Sequence, residues 1–206
     1  LYSTASFWTS KMTALQKTMT QAATILTLFA VLGGGLVVLS FHVTEKQIIA
    51  NERLSLLRNL NEIIAPDQYD NDLLSDNRNM TNDALLGTKE SVTLYRARKN
   101  GHPVAVVLTT VAPDGYNGNI RLLIGIHYEG TLAGVRVVSH QETPGLGDII
   151  ELRKSKWILG FTGRSLNTPP EEKWKVRRDG GVFDHLTGAT ITPRAVVKAV
   201  KNALLF

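Results

Sequence analysis

The chain has 206 residues, 43% of them hydrophobic and 20% charged, with a net charge of +5 and no cysteine. That length fits one domain with additions. The missing cysteine excludes disulfides, cysteine-held zinc or iron–sulfur clusters and a thiol nucleophile, and the scattered Lys and Arg residues, with no basic block, argue against nucleic acid.

Residues 1–21 read as an N-terminal tail. Residues 22–43 carry no formal charge apart from His42 near the end. As a helix this run measures about 33 Å, enough to cross a hydrocarbon core of about 30 Å. A cleaved signal peptide would show a shorter apolar core of roughly 7–15 residues and a small-x-small site. The reading is therefore a retained transmembrane helix. Its Gly33-Gly34-Gly35 triplet either offers a face for a close helical neighbour or is an irregularity that lipid tolerates. Lys11 and Lys17 precede the run and Lys46, Arg53 and Arg58 follow it, so flanking charge leaves the orientation open.

In residues 44–65, Ile48, Ile49, Leu56, Leu57, Leu60, Ile63 and Ile64 fall at helical spacing and stop before Pro66. This predicts a stalk helix with one face laid on a soluble domain, residues 66–206. Residues 66–90, rich in Asp and Asn, predict a long irregular excursion. Stretches 91–98 and 103–111 read as strands around Lys99-Asn100-Gly101, and 120–128 and 131–139 as strands around Glu129-Gly130, giving two hairpins. Residues 148–159 read as a helix capped by Asp148, and 174–176 as a short strand before an Asp179-Gly180-Gly181 turn. Thr192-Pro193 then opens a terminal helix ending at Leu205, with Thr192 as N-cap and Pro193 first. The expected class is α+β: a single transmembrane helix and stalk, then an antiparallel-sheet domain.

Several catalytic signatures are missing, among them a Gly-x-Gly-x-x-Gly helix opening, a phosphate loop, HExxH and Gly-x-Ser-x-Gly. The five histidines show no metal-ligand spacing, so no metal site is expected. Two segments remain. Glu142-Thr143-Pro144-Gly145-Leu146-Gly147 follows a strand, and its glycines let backbone approach a flat ligand; an ordinary strand-to-helix loop reads the same way. Asp184-His185-Leu186-Thr187-Gly188-Ala189-Thr190 sits at the mouth of the terminal helix, where free N–H groups favour an anion. There the alternative is a plain capped entrance, with Thr190 and Thr192 satisfying backbone donors.

The Asp-x-x-Thr-Gly-Ala-Thr pattern at 184–190 resembles the flavinylation motif of the FMN-binding subunits of Rnf and sodium-translocating NADH:quinone reductase complexes. The 142–147 loop is similar to a second signature of that domain. With the anchor helix and the ending RRDGGVFDHLTGATITPRAVV (177–197), the chain resembles the Rnf G-subunit family over nearly its whole length.

The resemblance implies FMN joined to the Thr190 hydroxyl by a phosphodiester that a separate flavin transferase installs. It places Glu142, Thr143, Gly145, Leu146 and Gly147 along the isoalloxazine, with Lys175 near it. It gives Thr187, Gly188 and Ala189 to the approach of the phosphate, Thr192 to a phosphate oxygen and Asp184 to transferase recognition. It also implies an electron-relay subunit, not catalytic alone, of an ion-translocating ferredoxin:NAD⁺ oxidoreductase. Its partners would be the complex's membrane and iron–sulfur subunits, in a bacterial inner membrane, with the soluble domain in the periplasm. The rival readings are the C subunit of the quinone reductase, which is usually longer, and a membrane-tethered interaction domain without flavin.

Overall fold

A computed structural model describes the backbone of residues 3–206 and the side chains of residues 16–206 other than Lys46. The chain forms two compact units, divided between Leu54 and Ser55. Helix α1 (Ser3–Asn61) runs without a break through the stretches read as tail and membrane helix and into the stalk, ending four residues before its expected end at residue 65; residues 1 and 2 of that tail lie outside the described residues. Within α1, Gln16–Glu45 is long and apolar enough to cross a membrane. Its threonine hydroxyls turn back onto the helix: Thr24 donates to the Thr20 carbonyl at 2.7 Å and Thr27 to Ala23 at 2.8 Å. Such bonds hide groups that lipid cannot satisfy. Open space surrounds Gly33, Gly34 and Gly35. Ile48 and Ile49, expected on a buried stalk face, are exposed.

The second unit is built on a five-stranded antiparallel sheet in the order β1-β2-β3-β4-β5: β1 (Asn77–Met80), β2 (Val92–Lys99), β3 (His102–Gly115), β4 (Gly118–His127) and β5 (Leu132–Ser139). Alternation sends side chains to two cores. On one face Leu108, Leu122 and Ile124 pack with helix α3 (Ile191–Leu205). On the other, Tyr95, Val107 and Leu123 pack with Leu60, Ile63 and Ile64 from the end of α1 and the residues just beyond it. A Cβ at Gly125 would stand 2.2 Å from Ile63 Cγ2, so only glycine lets Ile63 seat there. Asn100 and Gly101 turn the first hairpin with φ of 53° and 78°, as the Asn-Gly pair predicts. The same signal at Asn117-Gly118 joins β3 to β4.

Four expectations are corrected. The 66–90 stretch is not wholly irregular, because it contains β1 and the short helix α2 (Asp83–Leu86). Strand β1 is exposed throughout and polar but for Met80, and backbone pairing to β2 holds it rather than any apolar pattern. Residues 148–159 form no α-helix but two 3₁₀ turns, Gly147–Ile150 and Trp157–Phe161. Between them Ser155 Oγ donates to the Ile149 carbonyl at 2.6 Å and accepts the Trp157 N–H at 3.1 Å, so a side chain takes over helical backbone bonding. Strand 174–176 reduces to one bridge, Val176 to Phe183. Helix α3 begins two residues early, with Thr190 in the cap position and Pro193 third, where its missing N–H costs nothing.

Candidate functional site

Strand β5 delivers the 142–147 loop to the mouth of α3. In that loop the Thr143 carbonyl accepts the Leu146 and Gly147 N–H groups at 3.1 and 3.0 Å. Asp148 caps no helix; its Oδ1 accepts the Gly145 N–H at 2.7 Å, where Gly145 has φ of 78°. Glu142 is 4% exposed. Its Oε1 accepts the Asn117 N–H at 3.0 Å, and its Oε2 accepts the Thr192 hydroxyl. Asn117 also reaches Thr143 Oγ1 from its side chain, at 3.3 Å. Glu142 therefore ties the β3–β4 hairpin, its own loop and α3 together.

The 184–190 segment approaches from the other side. Phe183 stacks on Phe161 with ring centroids 4.6 Å apart, and Trp157 Nε1 donates to the Asp184 carbonyl at 2.8 Å. Leu186 then bridges Ala189 across a tight turn at Thr187-Gly188, with Gly188 at φ 84°. The two segments touch where Leu146 lies against Gly188, since a Cβ there would stand 2.8 Å from Leu146 Cδ2. Gly147 is closed in likewise: its Cβ would meet Glu142 Cβ at 2.8 Å and Thr192 Oγ1 at 3.0 Å.

Between these segments lies a cavity of about 480 Å³, within the usual range of roughly 300–1,000 Å³ for small-molecule sites. Glu142, Thr143, Leu146 and Gly147 line one side and Gly188, Ala189, Thr190 and Thr192 the other. Four expected residues stand outside the lining. Gly145 shapes its loop, Thr187 sits exposed at the turn, and Asp184 is exposed and pairs with Arg177 at 3.0 Å. Lys175 is also exposed, and its carbonyl accepts the Phe183 N–H at 3.2 Å. Thr192 is corrected as a cap: Thr190 takes the cap position, and the buried Thr192 hydroxyl donates to Glu142. Tyr116 and Ile191 also line the cavity, and neither signature segment contains them. The Asn117-Gly118 turn signal is the clue to Tyr116, because it puts this residue on a hairpin tip.

Residues 115–205, which include the whole cavity lining, match the FMN-binding domain family, and residues 12–63 match the RnfG N-terminal region. The G subunit of the ion-translocating oxidoreductase complex of Vibrio cholerae serotype O1 (strain M66-2) is 50% identical over 180 residues, 87% of this chain and 86% of that protein. The G subunit from Shewanella amazonensis is 45% identical over 192 residues, 93% of this chain and 89% of its own length. That of Aliivibrio fischeri is 42% identical over 189 residues, covering 92% and 90%. The chain belongs to this G-subunit family.

As in a family that carries an FMN-binding domain, the residues present here fit an FMN. Leu146, Ile191, Ala189 and the ring of Tyr116 offer apolar surface to a flat ring system. Thr190, Ile191 and Thr192 at the start of α3 line the cavity, and a helix N-terminus with no acidic residue in its first turn suits a phosphate. Thr190, half-buried in the cap position, makes no capping bond with its hydroxyl. Outside the cavity, Arg194 donates to Asp179 at 2.6 and 2.5 Å, and that bonding holds the Asp179 carboxyl below its usual range. The hydrogen bond from Arg153, then that from His140, holds Glu151 low in the same way.

Proposed function

We propose that this chain is the flavin-carrying electron-relay subunit of a membrane-bound Rnf-type ferredoxin:NAD⁺ oxidoreductase, with FMN joined through its phosphate to Thr190 as a phosphodiester. The observation that carries the reading is Thr190, which lines the cavity at the start of α3 and whose hydroxyl makes no capping bond. A threonine serving only as a helix cap would accept a backbone N–H there. The family match to an FMN-binding domain supports the cofactor, and the names of the relatives support the complex.

Bound here, FMN supplies one- and two-electron redox chemistry. The chain's own residues supply position and environment. Thr190 fixes the phosphate end, and the α3 N–H groups stabilise its charge. Leu146, Tyr116 and Ile191 keep water from the ring, and Glu142 holds the two halves of the cavity in register. Asp184, exposed and six residues before Thr190, serves recognition by the flavin transferase rather than contact with the ring. Helix α1 anchors the domain in a bacterial inner membrane, with the second unit in the periplasm. The other membrane and iron–sulfur subunits carry ion movement and the two redox ends.

Intact and peptide mass spectrometry of chain made alongside its transferase tests this reading, together with in-gel flavin fluorescence after denaturation. The expected result is a gain of one FMN less one water on the peptide holding Thr190. An unmodified peptide returns Thr190 to a structural role and leaves a membrane-anchored interaction domain.

A further inference from the structure

His140 follows β5 directly, lies outside the cavity lining and belongs to neither signature segment. Its side chain is only 10% exposed, and both ring nitrogens are engaged. Nδ1 accepts the Glu142 N–H at 3.0 Å, which leaves the ring proton on Nε2, facing Glu151 Oε1 at 2.8 Å. Glu151 is held in turn by Arg153. A line of hydrogen bonds therefore runs from Arg153 through Glu151, His140 and Glu142 to Thr192 at the start of α3. It begins at an open cavity of about 740 Å³ that His140, Glu151 and Arg153 help to line, and it ends in the cavity that holds Thr190.

We propose that His140 is a positioning residue for the cofactor loop, acting through the main chain of Glu142; the proposal rests on the FMN reading above. The Glu142 N–H needs an acceptor, and a donor set opposite it would push the loop away. The buried Glu142 carboxylate lines the cavity, so a shift of its main chain moves a negative charge relative to the ring. Charge placed near a flavin tunes its electronics. His140 thus sets the cofactor's environment without touching it.

Three variants separate its two ring nitrogens. In His140→Asn the amide oxygen falls at the Nδ1 position and still accepts from Glu142. In His140→Gln the amide reaches the Nε2 position toward Glu151 and leaves Glu142 unserved. His140→Phe removes both contacts. The full-length chain is made with and without its flavin transferase.

In the flavin-free protein, amide hydrogen exchange at Glu142 should match wild type in His140→Asn. It should be at least tenfold faster in His140→Gln and His140→Phe, with β3 and β4 amides as the control for folding. In the loaded protein, His140→Asn should keep the wild-type midpoint potential. His140→Gln and His140→Phe should displace it by about 59 mV, a tenfold change for a one-electron couple, at unchanged flavin content. Equal Glu142 exchange in wild type and His140→Phe overturns the proposal, as does an unmoved potential in loaded His140→Phe. So does an Asn variant that exchanges as fast as the Phe variant. A wild-type chain that takes up no flavin sinks the FMN reading alone, because the exchange series still decides whether His140 holds Glu142.

Discussion

The two signature segments face each other across one cavity and are built on opposite plans. The 142–147 loop is wired in: Glu142 is held through both carboxylate oxygens and its N–H, and Asp148 clasps Gly145. The 184–190 segment is held instead by backbone and apolar contacts: the Trp157 bond to the Asp184 carbonyl, the packing of Phe183 and the burial of Leu186 in the core. Beyond that, Asp184, His185, Thr187 and Gly188 are exposed, and the Thr190 hydroxyl makes no capping bond. On the proposed reading, a loop that holds a ring in place benefits from fixed polar partners, whereas a segment that a transferase modifies has to present its nucleophile. The difference predicts that changes in the first segment cost stability and changes in the second cost modification.

The largest expected effect is at Thr190. Thr190→Val should abolish covalent flavin and Thr190→Ser should retain it. Both should melt near wild type, since a substitution away from core packing and bonding typically shifts stability by within about 0.5 kcal/mol. A Val chain that still carries stoichiometric covalent flavin would reject the attachment site. Next comes Glu142→Ala, which strands the Thr192 hydroxyl and the Asn117 N–H; chemical denaturation should show a loss of about 2–3 kcal/mol. Gly147→Ala should follow, at about 1–3 kcal/mol, because its methyl group would press on Glu142 and Thr192.

At Asp184 the comparison reverses. Its ion pair with Arg177 is exposed on both sides, so Asp184→Asn should change stability by less than about 1 kcal/mol while lowering the flavin content. Normal flavin content in that variant would remove Asp184 from transferase recognition. The smallest effect concerns acid. Glu151 titrates below its ordinary 4.5 because of hydrogen bonds from Arg153 and His140. A depressed folded value means the contribution is complete above the ordinary value and lost as pH falls through the folded one. Melting temperatures taken downward from about pH 5 should therefore fall less steeply in Glu151→Gln than in wild type; parallel curves would detach Glu151 from the anchoring of the loop.

Much of this protein was legible in the sequence because the signals were local. An uncharged run long enough for a bilayer declares itself by length. Alternation marked β2 to β5, and Asn100-Gly101 marked a turn whose φ values favour that pair. The order of the two signature segments ahead of a terminal helix was also readable, and with it the position of Thr190 at the helix mouth. Tertiary structure decided what long-range partners control. Strand β1 exists because β2 offers it an edge, although its own residues are exposed and all but Met80 are polar. Thr192 looks like a cap by its neighbours, yet Glu142, fifty residues away in sequence, takes its hydroxyl. Tyr116 reaches the cavity only once β3 and β4 pair, and Lys175 stays outside it because of the turns around it. The physical reason is the same throughout: periodicity and turn preference are properties of adjacent residues, whereas a hydrogen-bonding group goes to whichever partner the fold brings beside it.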